Sequence, residues 1–113
     1  MLNVCLFTGR FAAEPKLFDA NGVPRCVFTL AIDRDQKRED GEYDTDFLDF
    51  ICWRGTAEFV SKYFHKGDLA TVTNARAQVH IYEVDGVKQR KVEFLLDTNG
   101  RIYFGQSKRS QEE

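Results

Sequence analysis

The nine residues from Thr45 to Trp53, TDFLDFICW, constrain this chain more than any other stretch. Alternation of period two marks a strand, in which successive side chains point to opposite faces. Leu48, Phe50 and Cys52 form one set and read as core, whereas Phe47, Asp49, Ile51 and Trp53 form the other and mix large rings with a carboxylate. Phe47 and Trp53 stand six residues apart, roughly 20 Å along an extended strand at ~3.3 Å per residue. Rings so spaced on an open sheet face suit different nucleotides of one strand, whereas the same rings under a loop or in a subunit contact would be ordinary packing.

The flanking sequence builds a β domain around this strand. Leu2 to Phe11 carries apolar residues on both parities, as in a strand covered on both faces, and Gly9 within it predicts a bulge or bend. Pro15 confines the next segment to a sheet edge. Asn21-Gly22 is a hairpin turn signal leading into a strand over Arg25 to Asp33, with Cys26, Phe28, Leu30 and Ile32 inward and Val27, Thr29 and Ala31 outward. Residues 34–44, RDQKREDGEYD, have almost no apolar content and are expected as a mobile, solvated loop. Ala57, Val60 and Phe64 fall at helical spacing, with Gly67 placed to end a short helix. Leu69 to Tyr82 reads as a long strand whose parity slips near Thr73-Asn74, after which Arg76, Gln78, His80 and Tyr82 share a face. Asp85-Gly86 turns it into a second hairpin carrying Lys88, Arg90 and Lys91, with Val92, Phe94 and Leu96 toward the core, and a last strand covers Arg101 to Phe104. The expected fold class is all-β: a five- to six-stranded Greek-key barrel of the OB-fold type, with one short helix between strands 3 and 4. It occupies residues 1–105, and residues 106–113 form a short polar tail.

Charge, cysteines and hydropathy narrow the function classes. The formal net charge of −2 argues against a strongly basic nucleic-acid binder. Residues 33–49, however, hold eight acids against Arg34, Lys37 and Arg38, so that the rest of the chain is net positive. Cys5, Cys26 and Cys52 show no CxxC spacing and the chain has two His, which favours buried thiols in a reducing compartment over disulfides or zinc. With no signal peptide and no apolar run of membrane-spanning length, a cytoplasmic location without membrane contact is expected. Asp33, Asp35, Asp44, Asp46 and Asp49 have no His or activating base beside them, so neither a metal, a cofactor nor catalysis is expected.

The segments FTGRFAAEPKL, NGVPRCVFTLAIDR, TDFLDFICWRGTAEFVSKYFHKGDL and VEFLLDTNGRIYF, in this order and spacing, resemble the bacterial single-stranded DNA-binding proteins, including forms carried by phages and mobile elements. The resemblance covers nearly all of residues 2–104. It implies an OB-fold, sequence-tolerant binding and protection of single-stranded DNA in replication, recombination or repair, and a homotetramer of dimers joined through the first strand. Phe47, Trp53 and Tyr82 match base-stacking positions of that family. Thr29, Lys66 and the hairpin from Arg76 through His80 and Lys88 to Arg90 match places where it touches DNA, and Arg34, Lys37 and Arg38, the bases of the charged loop, are further candidate DNA-binding residues.

Three departures stand out. A fourth stacking position falls on Gln36, so stacking there is lost or passes to Tyr43. Asp49 occupies the binding face where the family often has a base, and is expected to repel phosphate and weaken binding. The sequence ends at Gln111-Glu112-Glu113 without the flexible linker and acidic tip through which family members recruit repair enzymes, which puts that partnership in doubt. The alternative reading is an OB-fold module for protein interaction or RNA.

Overall fold

The computed structural model describes residues 1–105, and the polar tail expected at 106–113 lies outside the described residues. The elements follow in the order β1 (Cys5–Phe11), β2 (Lys16–Ala20), β3 (Val23–Lys37), β4 (Tyr43–Trp53), α1 (Arg54–Tyr63), β5 (Leu69–Val84), β6 (Val87–Leu96) and β7 (Arg101–Phe104). Strands β1, β3, β4, β6 and β5 neighbour one another in that order, and a β1–β5 pairing closes the ring. β2 adds to the edge of β3 and β7 to that of β5. This is the expected all-β barrel, with its helix between the third and fourth barrel strands.

Local sequence explains the strand breaks. Asn21 and Gly22 take φ of 54° and 84°, and Asp85 and Gly86 take 51° and 78°, the doubly left-handed geometry of tight hairpins. The parity slip in β5 is a bulge at Asn74, whose φ is 57°: Cys5 pairs with Ala75 but Phe7 with Val72. Gly9 departs from expectation. Its register with Ala70 is unbroken, and what glycine allows there is close approach, since a Cβ would lie 2.8 Å from the Ala31 carbonyl oxygen and 2.7 Å from Ile32 Cγ1.

Phenylalanines fill the barrel. Phe50, Phe28, Phe11, Phe64 and Phe104 form a continuous stack with successive centroids 5.1, 4.9, 5.0 and 4.3 Å apart and near-parallel planes. Phe7 meets Phe50 and Phe94 edge-on. Ala57 and Val60 of α1 and the following Phe64 are fully buried against this core. The helix ends at Tyr63, short of Gly67, which instead forms the turn that donates its N–H to the Phe11 carbonyl. Cys26 and Cys52 are buried cross-strand partners, and hydrogen bonding between them together with burial holds the Cys52 thiol far above its ordinary range. Cys5 is half-buried and also free.

The charged loop is shorter than expected. β3 and β4 run on through residues 34–37 and 43–44 as a two-stranded arm, leaving a turn over residues 38–42. Cross-strand polar pairs replace the missing apolar ones: Thr45 donates to Asp33 at 2.6 Å, Arg34 forks onto Asp46, and Lys37 lies over the Tyr43 ring. Such pairs stabilise a ladder that a hydrophobic alternation cannot reveal.

Candidate nucleic-acid interface

The β3–β4 register places Arg25, Val27, Thr29 and Ala31 opposite Trp53, Ile51, Asp49 and Phe47, all on the face away from the core. β6 runs parallel to β4 with Leu95 beside Ile51, and β5 follows with His80 opposite Lys91 and Tyr82 opposite Gln89. One outer surface therefore carries Phe47, Trp53 and Tyr82, which are 64%, 37% and 39% exposed. Trp53 ends β4, and the chain turns into α1 through Arg54 at φ 60°. Ile51 between the rings is buried, so the platforms are separate rather than one apolar strip.

A groove of about 360 Å³ crosses the middle of this face, lined among others by Lys16, Arg25, Thr29, Asp49, His80 and Lys91. Asp49 accepts hydrogen bonds from the Thr29 hydroxyl at 2.7 Å and from Lys91 Nζ at 2.9 Å. Burial raises the Asp49 carboxyl pKa, but these two donors outweigh it and hold the group below its ordinary value. Its hydrogen bond in turn holds the Lys91 ammonium above its own. The carboxylate expected to repel phosphate is thus neutralised by a neighbour, a pairing invisible in sequence because Lys91 lies 42 residues away.

The other predicted residues divide by face. His80 stacks on Tyr82 with centroids 5.8 Å apart, and Arg76 lies on the same face 3.9 Å from Asp97. Lys88 and Arg90 pair with Glu83 and Ile81 and so point to the opposite side of the hairpin. Arg34 and Arg38 are joined to Asp46, and to Asp40 and Asp44. Lys37 reaches the front of the arm, where it caps Tyr43. Gln36 lies in the bulge between the Asp33–Thr45 and Lys37–Tyr43 pairs, and the exposed Tyr43 continues the parity of Phe47. Lys66 is held near the groove's rim by Glu14, whose carboxylate accepts its backbone N–H at 2.7 Å and lies 3.0 Å from His65 Nδ1; the bond from Lys66 heads the causes that keep the Glu14 pKa low. Among the described residues the carboxylates considered for a metal are dispersed, Asp33 to Thr45, Asp44 to Arg38, Asp46 to Arg34 and Asp49 to Lys91.

The Single-strand binding protein family matches residues 1–103. The chain belongs to this family. A single-stranded DNA-binding protein of Bacillus cereus is 37% identical over 88% of this chain and 64% of its own length. Single-stranded DNA-binding protein A of Bacillus subtilis is 36% identical over 88% of this chain and 63% of its own. The chain thus spans just under two thirds of these relatives. A third, single-stranded DNA-binding protein 1 of Clostridium acetobutylicum, is 39% identical over 75% of this chain and 79% of its own. In structure, a Plasmodium falciparum SSB solved in complex with single-stranded DNA superposes with a TM-score of 0.84 at 21% identity, over 94% of this chain and 96% of that one, and so shares its OB-fold. No helix among the described residues is long and apolar enough to cross a membrane.

Proposed function

We propose that this chain binds single-stranded DNA without sequence preference and protects it during replication, recombination or repair. The observation that carries this reading is the outer face on which Phe47, Trp53 and Tyr82 stand exposed along β4 and β5. Every base has a π-face, so such platforms accept any sequence, and unpaired bases alone can reach them. His80 and Lys91 lie on the same face, Lys66 is joined to Glu14 of the groove lining, and the names of the bacterial relatives as single-stranded DNA-binding proteins point the same way. Lys88 and Arg90 serve from the reverse of the hairpin if the strand wraps around it. The protein acts by binding rather than by catalysis, in the cytoplasm.

The same reading includes a homotetramer, or at least a dimer. Its support is the outer parity of the first segment, where Leu2, Val4 and Leu6 are exposed at a cost of ~25 cal/mol per Å² of apolar surface left in water. The other parity, Cys5, Phe7 and Phe11, needs no second subunit: the barrel itself covers Phe11, and Phe7 and Cys5 pack against its core.

Trp53 is the sole tryptophan and reports directly. Titration with poly-dT should quench its emission to a defined stoichiometry, and excess duplex or structured RNA should not displace the dT. Emission unchanged at saturating poly-dT overturns the reading, and displacement by structured RNA favours an RNA module instead.

A further inference from the structure

We propose that the single-strand path continues past Trp53 onto β2, in a further subsite made by Phe18 and Arg25. The proposal rests on the single-strand reading of the outer face and adds to it residues outside the matched stacking positions. Phe18 pairs with Arg25 across β2–β3, and Arg25 pairs with Trp53 across β3–β4, so the three side chains form one row on that face. The Arg25 guanidinium lies 5.7 Å from the centroid of the Phe18 ring and 5.7 Å from that of Trp53. Both rings remain open, Phe18 at 45% exposure, because β2 is an edge strand with only β3 beside it.

This arrangement fits a nucleic-acid strand better than it fits a structural clasp. The Arg25 guanidinium lies within cation–π reach of both rings and has no carboxylate partner among the described residues, so its N–H fork is available to match phosphate oxygens. Neither Arg25 nor Lys16, one pair further along the same face of β2, is in an ion pair among the described residues. Arg34, Arg38 and Arg76, by contrast, are each beside a carboxylate. The row crosses two strand spacings, about 10 Å from Phe18 to Trp53 at ~4.8 Å per strand. A base on Trp53 and another on Phe18 would thus flank a phosphate held by Arg25.

Binding of dT oligomers from about 4 to 16 nucleotides, the span of one OB fold, tests this through Trp53 quenching at several salt concentrations. Phe18→Ala should leave the shortest oligomers unaffected and weaken the longer ones by about 5- to 150-fold, the loss of one stacked base. Arg25→Gln should lower the slope of log K against log salt by about 0.7, one phosphate contact. Loss that is equal at all lengths, or no loss, overturns the subsite, as does an unchanged slope in Arg25→Gln. Phe18→Leu, which keeps apolar bulk without a ring, should behave as Phe18→Ala while unfolding at the wild-type temperature; full affinity in Phe18→Leu also overturns it. Wild-type emission unquenched by any oligomer brings down the outer-face reading and the subsite together, whereas quenching in the wild type with indifferent variants brings down the subsite alone.

Discussion

Trp53 and Asp49 show how the same strand position parity can serve opposite purposes. Trp53 lies outside the buried core cluster, 37% exposed and with Arg25 near its ring. Trp53→Ala should therefore cost roughly 1–3 kcal/mol of single-strand binding while leaving the urea midpoint near wild type; a loss of ~3–5 kcal/mol in stability would mark a core tryptophan instead. Asp49 restrains Lys91 in an ion pair. Asp49→Asn should free that ammonium, tighten binding and steepen the salt slope by about 0.7. The pair also has a pH signature. A carboxyl whose pKa is lowered in the folded state stabilises the fold above its unfolded value near 4, and that contribution disappears as pH falls through the folded value. The difference in stability between wild type and Asp49→Asn should accordingly be present at pH 7 and shrink as pH falls below about 4, as measured by urea unfolding at each pH.

At the scale of elements, barrel closure depends on β1 approaching β3 and β5 at once. Gly9 permits the approach to the Ala31 backbone, so Gly9→Ala should destabilise by about 1–3 kcal/mol through overpacking, read as a lower urea midpoint. The phenylalanine stack ties β4, β3, β1 and the chain after α1 to β7. Phe11 lies at its centre, and Phe11→Ala should cost about 3–5 kcal/mol. The stack accounts for seven of the ten phenylalanines: five line up as one column that runs from the barrel interior to the half-exposed Phe104, and Phe7 and Phe94 close its side.

At the scale of the whole molecule, acid and base are segregated. In the β3–β4 arm Asp46, Asp40 and Asp44 pair with its own Arg34 and Arg38, and few cations face outward beside the rings. Log K for poly-dT should fall shallowly with log salt, at about 0.7 per phosphate neutralised; the steep slope of a strongly basic protein would contradict a stacking-dominated interface. The exposed Leu2, Val4 and Leu6 belong to the same scale. Leu6→Asp should shift the mass measured by light scattering toward the monomer without unfolding the barrel, and a wild-type protein that is already monomeric at micromolar concentration would remove the proposed tetramer.

The barrel, its helix and both hairpin turns were legible in the sequence because their signals are local: period-two alternation, Asn21-Gly22 and Asp85-Gly86 at positive φ, and helical spacing of Ala57, Val60 and Phe64. So were the rings at Phe47, Trp53 and Tyr82, which the alternation and the family resemblance place together. What only the tertiary structure decided is pairing across the chain. The arm's strands lack an apolar alternation because charged partners stabilise them; Asp49 meets Lys91 only through the parallel β4–β6 contact. Lys88 and Arg90 fall on the reverse face by the register of one hairpin. Phe18 joins Arg25 and Trp53 only once β2 lies along β3. Side-chain neighbours distant in sequence depend on strand register, and register is set by the packing of the whole barrel.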